Sequence, residues 1–362
     1  MLGRSAVNSM IARDGKITLK RLRKRRRRLK KLRKEFIQGK NHLATLHRSC
    51  ADHIQTVNLP LALISQIQRS GGSLLSQLFD GHPQIHAHPH ELKIGFPTKY
   101  TWPQLDLDED PMRWLETLFE PTVLHHFRNG YKKQRNMDET FLFVFLPSVQ
   151  KELFFKHLRK IDSVSLRDVF DAYMTSYFGA WLNNQNSFGE KKCITAFTAR
   201  LAMDEENMKS FFEIYPDGRL ISIIRDPKNW YPSAAKHKPL IYDDINESLK
   251  LWRQSAEAML RNKERYGERV CILTFEDLIY KTDAVMRYLS KFLEIRFDDC
   301  LLVPSFNKCP IKANTSFAEP QHGIIESTLN RYKTLSKEQL EIIETTTREL
   351  YQAVLGIHSK II

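Results

Sequence analysis

Two hydrophobic periods alternate along the chain. Leu61 to Ile67 is a short, mostly apolar run with the length of one buried strand. RSGGS interrupts it. Leu74, Leu75 and Leu78 then recur at helical spacing, and Gly81 and Pro83 are placed to stop the helix. Gly71 and Gly72 remove two side chains where the chain turns tightly, and Ser73 is expected to cap the helix that follows. Residues 95–190 read as mainly helical, most clearly over Ser165–Gln185, where Leu166, Val169, Phe170, Tyr173, Tyr177 and Trp181 share one face. Strand patterns return at Cys193–Phe197, Leu220–Ile224 and Val270–Leu273, separated by helical stretches that include Ile245–Arg265. Near the end, Ser336 and Gln339 form a capping box, and Leu335 with Leu340 can form a hydrophobic staple. Strands alternating with helices predict an α/β fold around a parallel sheet.

Composition changes this picture mainly at one end. The chain has 362 residues, enough for a substantial core, with 42% hydrophobic and 27% charged residues. Its net charge of +14 is concentrated in an arm: residues 1–50 hold 17 of the 56 Lys and Arg but two of the 42 acids. The remainder, with 39 bases and 40 acids, is near neutral. The division predicted is a basic helical arm at 1–55 and a folded domain at 56–362 with a helical insertion around 95–190. KRLRKRRRRLKKLRKEF, within residues 16–40, leaves a thin apolar seam in a basic helix. Such a segment suits a polyanion or an anionic membrane surface. No zinc-finger spacing or stacking-aromatic motif points to specific nucleic-acid binding. An odd cysteine count, five, without C-x-x-C fits a reduced protein. No apolar run reaches the length of a membrane span, and the N-terminus lacks the apolar core of a secretion signal, so the expectation is a cytoplasmic protein with peripheral membrane contact through the arm.

Two short stretches carry chemistry. The turn from strand into helix at RSGGS exposes unpaired backbone N–H groups, and Arg69 adds a full charge beside them, so a phosphate or sulfate fits there. It is not a Walker A loop, because G-x-x-x-x-G-K-[ST] is absent. The second stretch is LISIIRDPKNWYPSAAKH, residues 220–237. A buried strand ends at Arg225, and a helix expected to start near Asn229 or Trp230 sets Ser233 and His237 one turn apart. Arg225 and Ser233 can both reach a second phosphate.

Together, RSGGSLL after one strand and RDP with a Ser eight residues beyond its Arg resemble the sulfotransferase family that uses 3′-phosphoadenosine 5′-phosphosulfate (PAPS). ILTFEDLIYKTDAVMRYLSKFL (272–293), NTSF (314–317) and the closing NRYKTLSKEQLEIIETTTRELYQAVLGI extend the resemblance in the family's order. It implies a P-loop-like three-layer α/β fold with helices flanking the sheet, PAPS as donor, 3′-phosphoadenosine 5′-phosphate (PAP) as product, and no metal. By position, Arg69 takes the place of the basic residue at the bridging and leaving phosphate oxygens. Ser70, Gly71, Gly72, Ser73 and Leu74 form the cradle for the 5′ end, and Arg225 with Ser233 binds the 3′-phosphate. Lys312 is placed over the nucleotide, although the usual R-K-G pattern is absent.

Gly72 stands where the family usually has Thr or Ser, so a hydroxyl is missing and a catalytically impaired PAPS- or PAP-binding member is one alternative. A P-loop-type nucleotide kinase is another, opposed by the absent Walker Lys. For the acceptor's proton, HPQIHAHPHELK (82–93) offers Glu91 first, His90 second and His88 third. Thr198 and Arg200, in FTAR, stand where related enzymes carry a turn facing the acceptor, making Arg200 a candidate acceptor contact. The style of these motifs is nearest to glycan sulfotransferases, which implies a hydroxyl or amine acceptor on a carbohydrate.

Overall fold

The computed structural model describes residues 24–39, 41–42, 45, 54, 56–94, 100–132, 139–312, 323–324 and 326–358. The chain divides into two units, Met1–His53 and Ile54–Ile362. In the first, residues 24–39 are helical, and Leu29, Leu32, Phe36 and Ile37 lie exposed among its basic residues. Asn314–Phe317, the NTSF stretch, lies outside the described residues.

The second unit is built on a sheet of five parallel strands. The strands are β1 (Leu61–Ile64), β2 (Ile85–Glu91), β3 (Cys193–Phe197), β4 (Arg219–Ile224) and β5 (Val270–Thr274), in the spatial order β2-β3-β1-β4-β5. Alternate residues of each strand enter different cores. Leu61, Leu63, Ile194, Ala196, Leu220, Val270 and Ile272 pack into one. Ala62, Ile64, Cys193, Phe197, Ile221, Ile223, Cys271 and Leu273 pack into the other. Both faces are therefore covered, which is why these strands read as unbroken apolar runs. The result is the three-layer α/β fold expected.

Helices α1 (Gly72–Leu78), α2 (Pro111–Leu118), α3 (Thr122–Asn129), α4 (Pro147–Leu158), α5 (Leu166–Ala180) and α6 (Glu205–Ile214) precede β4. After it come α7 (Pro227–His237), α8 (Pro239–Tyr242), α9 (Ile245–Tyr266), α10 (Phe275–Tyr280), α11 (Thr282–Phe292) and α12 (Lys337–Ile357). Several boundaries differ from the sequence reading for local reasons. Ser73 is not a cap: α1 begins at Gly72, and Gly71 holds the cap position at φ 104 with no side-chain bond. α5 has its capping box at Ser165 and Asp168 but ends at Ala180, where Trp181 leaves helical geometry. α7 starts earlier than expected, at Pro227, because Asp226 caps it by accepting from Lys228 N. The capping box at Ser336 and Gln339 is present in α12.

β2, with the sequence IHAHPHE, carries no strand pattern of its own. It is the edge of the sheet, and its register shifts between Ala87 and Glu91, around Pro89. An edge strand tolerates a residue with no N–H to donate. Its histidines behave as core residues: His86, for example, stacks on Phe178 with centroids 4.7 Å apart.

Candidate active site

The carboxyl ends of β1, β2 and β4 border a cleft of about 230 Å³. Its floor and walls come from Gln66, the loop after β1, Glu91, Arg225, Ser233 and Arg331. Open α/β sheets bind ligands at this end.

The loop after β1 is tightly determined. Arg69 has φ 68 and Gly71 φ 104, both in the left-handed region. A Cβ on Gly71 would lie 2.5 Å from Phe275 Cδ2, so packing as well as backbone conformation requires glycine there. Arg69 folds across the cleft, and its Nε donates to Ser233 Oγ at 3.3 Å. Ser233 keeps its own hydroxyl proton for a ligand. Ser70 is buried beneath the loop, does not line the cleft, and its hydroxyl has no hydrogen-bond partner among the described residues.

Arg225 joins the two motifs. Its Nη1 donates to Arg69 O at 2.9 Å and its Nη2 to Thr328 O at 2.6 Å, and the guanidinium lies 4.4 Å over the Phe275 ring. Its buried Nε has no partner among the described residues. Burial pushes the Arg225 pKa down to about 9, with Glu276 opposing and Arg69 and Arg331 adding to the fall. Burial likewise lowers Arg69 to about 10, with Tyr242 opposing. Two desolvated cations side by side are costly, and an anion bound between them lowers that cost. Glu276, whose Oε1 accepts from Asp226 N at 3.2 Å, is raised by burial to about 7, its hydrogen bonds and Arg225 opposing.

Glu91 is partly exposed at the end of β2 and faces the cleft. His90 points the other way: its Nδ1 donates to Glu91 O at 3.0 Å, and its Nε2 meets Tyr177 OH at 2.9 Å. Burial holds His90 down at about 3, with Glu120 opposing. His88 is more enclosed still. Its Nδ1 lies 2.9 Å from His90 O and its Nε2 3.0 Å from Glu120 Oε1. Glu120 also accepts from Tyr173 OH and Lys93 N. His88, His90 and Glu120 place three potential ligand atoms within 4.8 Å of one another, but hydrogen bonds already engage each group. The cluster frames Glu91 rather than entering the cleft.

The remaining candidates fall outside the cleft wall. Arg200 donates to Gln68 Oε1 and Tyr242 OH, both at 2.6 Å, and so braces Gln68, which does line the cleft. Thr198 is buried. Lys312 lies elsewhere, its N donating to Glu139 Oε2 at 3.4 Å. Sequence reasoning missed Gln66, Phe197, Thr328 and Arg331. Arg331 was within reach, in the quoted NRYKTLS stretch, but it read as the lead-in to a helix. It lies on a 3₁₀ segment, Glu326–Thr334, that packs on α7.

A family model described as the sulfotransferase family matches residues 60–299, well over half of the chain. The chain belongs to the sulfotransferase family. It is 27% identical over 95 residues to protein-tyrosine sulfotransferase A of Caenorhabditis elegans, an alignment covering 25% of each chain, so it spans about a quarter of that curated relative's length. Similar solved structures include the sulfotransferase domain from the curacin biosynthetic pathway, at TM-score 0.44 and 16% identity over 80% of this chain and 98% of that one. A mouse sulfotransferase complexed with PAP matches at TM-score 0.39 and 12% identity, over 84% of this chain and 88% of that one.

Proposed function

We propose that this protein transfers a sulfuryl group from PAPS to an acceptor hydroxyl, leaving PAP. One observation carries the reading. Two anion-binding segments far apart in sequence, the Arg69 loop and the Arg225–Ser233 pair, meet in one cleft through the Arg69–Ser233 hydrogen bond. PAPS supplies an activated sulfuryl group on a 5′-phosphate and carries a second phosphate at its 3′ position. The buried cations and the unpaired Nε of Arg225 suit such a ligand. The loop from Ser70 to Leu74 would cradle the 5′ end. Arg69 would stabilise charge on the leaving phosphate as the acceptor oxygen bonds to sulfur and the sulfur–phosphate oxygen bond breaks. Arg225 and Ser233 would hold the 3′-phosphate, with Arg331 adding charge beside it. Glu91 would take the acceptor's proton, a role its place in the cleft supports.

The acceptor we propose is a carbohydrate hydroxyl. A second reading, a tyrosine hydroxyl on a protein, is favoured by the aligned relative, whose name states that activity. The exposed basic helix at 24–39 supports contact with a polyanionic acceptor or an anionic membrane surface. No helix among the described residues is long and apolar enough to cross a membrane.

A thermal-shift titration with PAP, ATP and AMP tests the nucleotide. Ligand at about 100 times its dissociation constant adds about 2.7 kcal/mol of stability. A shift with PAP that exceeds those with ATP and AMP is expected; an equal response to ATP, or none to PAP, sinks the reading. Turnover of labelled PAPS on a sulfatable oligosaccharide and on a tyrosine peptide then separates the acceptors. Glu91→Gln is expected to lower turnover about 10²–10⁴-fold while leaving PAP affinity unchanged.

A further inference from the structure

Gln66 is buried, only 2% exposed, and neither atom of its terminal amide has a hydrogen-bond partner among the described residues. A buried amide is rarely left so, because an unsatisfied donor or acceptor carries its full desolvation penalty. The position is not slack. Ser65 N donates to Ile221 O, Ile67 N to Ser255 Oγ, and Arg200 N to Gln66 O, so the backbone is pinned on both sides. Gln66 lines the cleft beside Gly72, Glu91 and Phe197.

Its place explains Gly72. A Cβ at residue 72 would lie 2.3 Å from Gln66 Nε2 and 2.3 Å from Phe197 Cε2. The Gln66 amide occupies the space that a side chain on residue 72 would need. This is the position where the family resemblance leads one to expect a hydroxyl, and where its loss raised the prospect of an impaired enzyme.

We propose that Gln66 binds the 5′ end of the nucleotide, its amide N–H donating to a phosphate or sulfuryl oxygen in place of the hydroxyl missing at residue 72. The assignment rests on the sulfotransferase reading above. It makes Gln66 and Gly72 a reciprocal pair: the amide needs the glycine's space, and the glycine needs the amide's donor.

The test is calorimetric titration of wild type and Gln66→Met with PAP and with adenosine 3′-monophosphate, which lacks the 5′ group. Met keeps the side chain's length and volume without its donor. PAP binding is expected to weaken about tenfold to a hundredfold, the effect of losing one hydrogen bond to a charged group. Adenosine 3′-monophosphate should bind the variant and wild type within about twofold, and the unliganded variant should melt no lower than wild type, since it loses an unsatisfied buried amide. Gln66→Ala should show the same split between the two nucleotides and serves if Met is not tolerated. Equal weakening of both nucleotides, unchanged PAP affinity, or a lower melting temperature for unliganded Gln66→Met would make Gln66 a packing residue and overturn the assignment. Wild-type protein that binds neither nucleotide overturns the sulfotransferase reading first, and this assignment with it.

Discussion

Two buried polar clusters stand toward the carboxyl end of one sheet, and they are built on opposite terms. Around Glu120, the rings of His88 and His90, the hydroxyl of Tyr173 and the N–H of Lys93 satisfy one another. A few residues away, the Gln66 amide, the Ser70 hydroxyl and Arg225 Nε are buried without hydrogen-bond partners among the described residues. Both clusters are charged and enclosed, so neither burial nor charge distinguishes them. Saturation does. The closed cluster lowers the energy of the folded chain, whereas in the open one Gln66 and Arg225, which line the cleft, keep groups that a ligand would satisfy. Loss of a group should therefore register as stability in one and as affinity in the other.

The sharpest break is Glu120→Ala. It takes the shared acceptor from the buried His88 ring, the Tyr173 hydroxyl and the Lys93 N–H, and equilibrium urea unfolding is expected to show a loss of about 3–5 kcal/mol. Burial pushes the Glu120 carboxyl up, but the His88 and His90 rings and the Lys93 N–H outweigh it and hold the pKa at about 2. A carboxylate depressed in the fold stabilises it above its unfolded pKa, so this contribution is complete above about pH 5 and disappears as pH falls toward 2. A variant as stable as wild type would mean that the cluster is not holding the structure together. Arg225→Ala is the converse. PAP affinity should fall at least about a hundredfold, within the range for removing one member of a buried charge contact. Unfolding free energy should fall less than in Glu120→Ala. Retained PAP binding would show that the open donors do not meet the nucleotide.

The smallest effect concerns Glu276, whose pKa of about 7 lies in the working range. Its carboxylate offsets the charge of Arg225, so protonation strengthens the field felt by an anion. PAP affinity should rise a few-fold between pH 8 and 6.5, and Glu276→Gln should flatten that slope. An affinity that falls over the same interval would place Glu276 outside the binding equilibrium.

The strands that proved legible were those buried on both faces, whose apolar runs need no partner to be recognised. β2 was not, because His86 and His88 become core residues only when Phe178 and Glu120 meet them. The site divided in the same way. Arg69, Gly71, Arg225 and Ser233 could be found because turn geometry and chemistry coincide in a few consecutive residues. Glu91 followed from resemblance and does face the cleft, but its neighbour His90 does not, and one step along a strand reverses a side chain's direction. Gln66 carries no local signal, and Arg331, though inside a stretch that resembles the family, reads as the lead-in to a helix: both gain meaning only from what surrounds them in space. Gly72, read as a missing hydroxyl, also leaves space that Gln66 Nε2 and the Phe197 ring fill.

The cleft also has an order of assembly. Arg69 meets Ser233 164 positions later, and Arg225 meets Thr328 another 103 beyond its own position. During synthesis, the RSGGS loop leaves the ribosome long before the strand that carries Arg225, and longer still before the carbonyl that receives its second hydrogen bond. Chain closure over such separations comes late in folding. A nucleotide held by all three segments would latch a fold already complete, so that its capture would report that the last segment of the cleft has arrived.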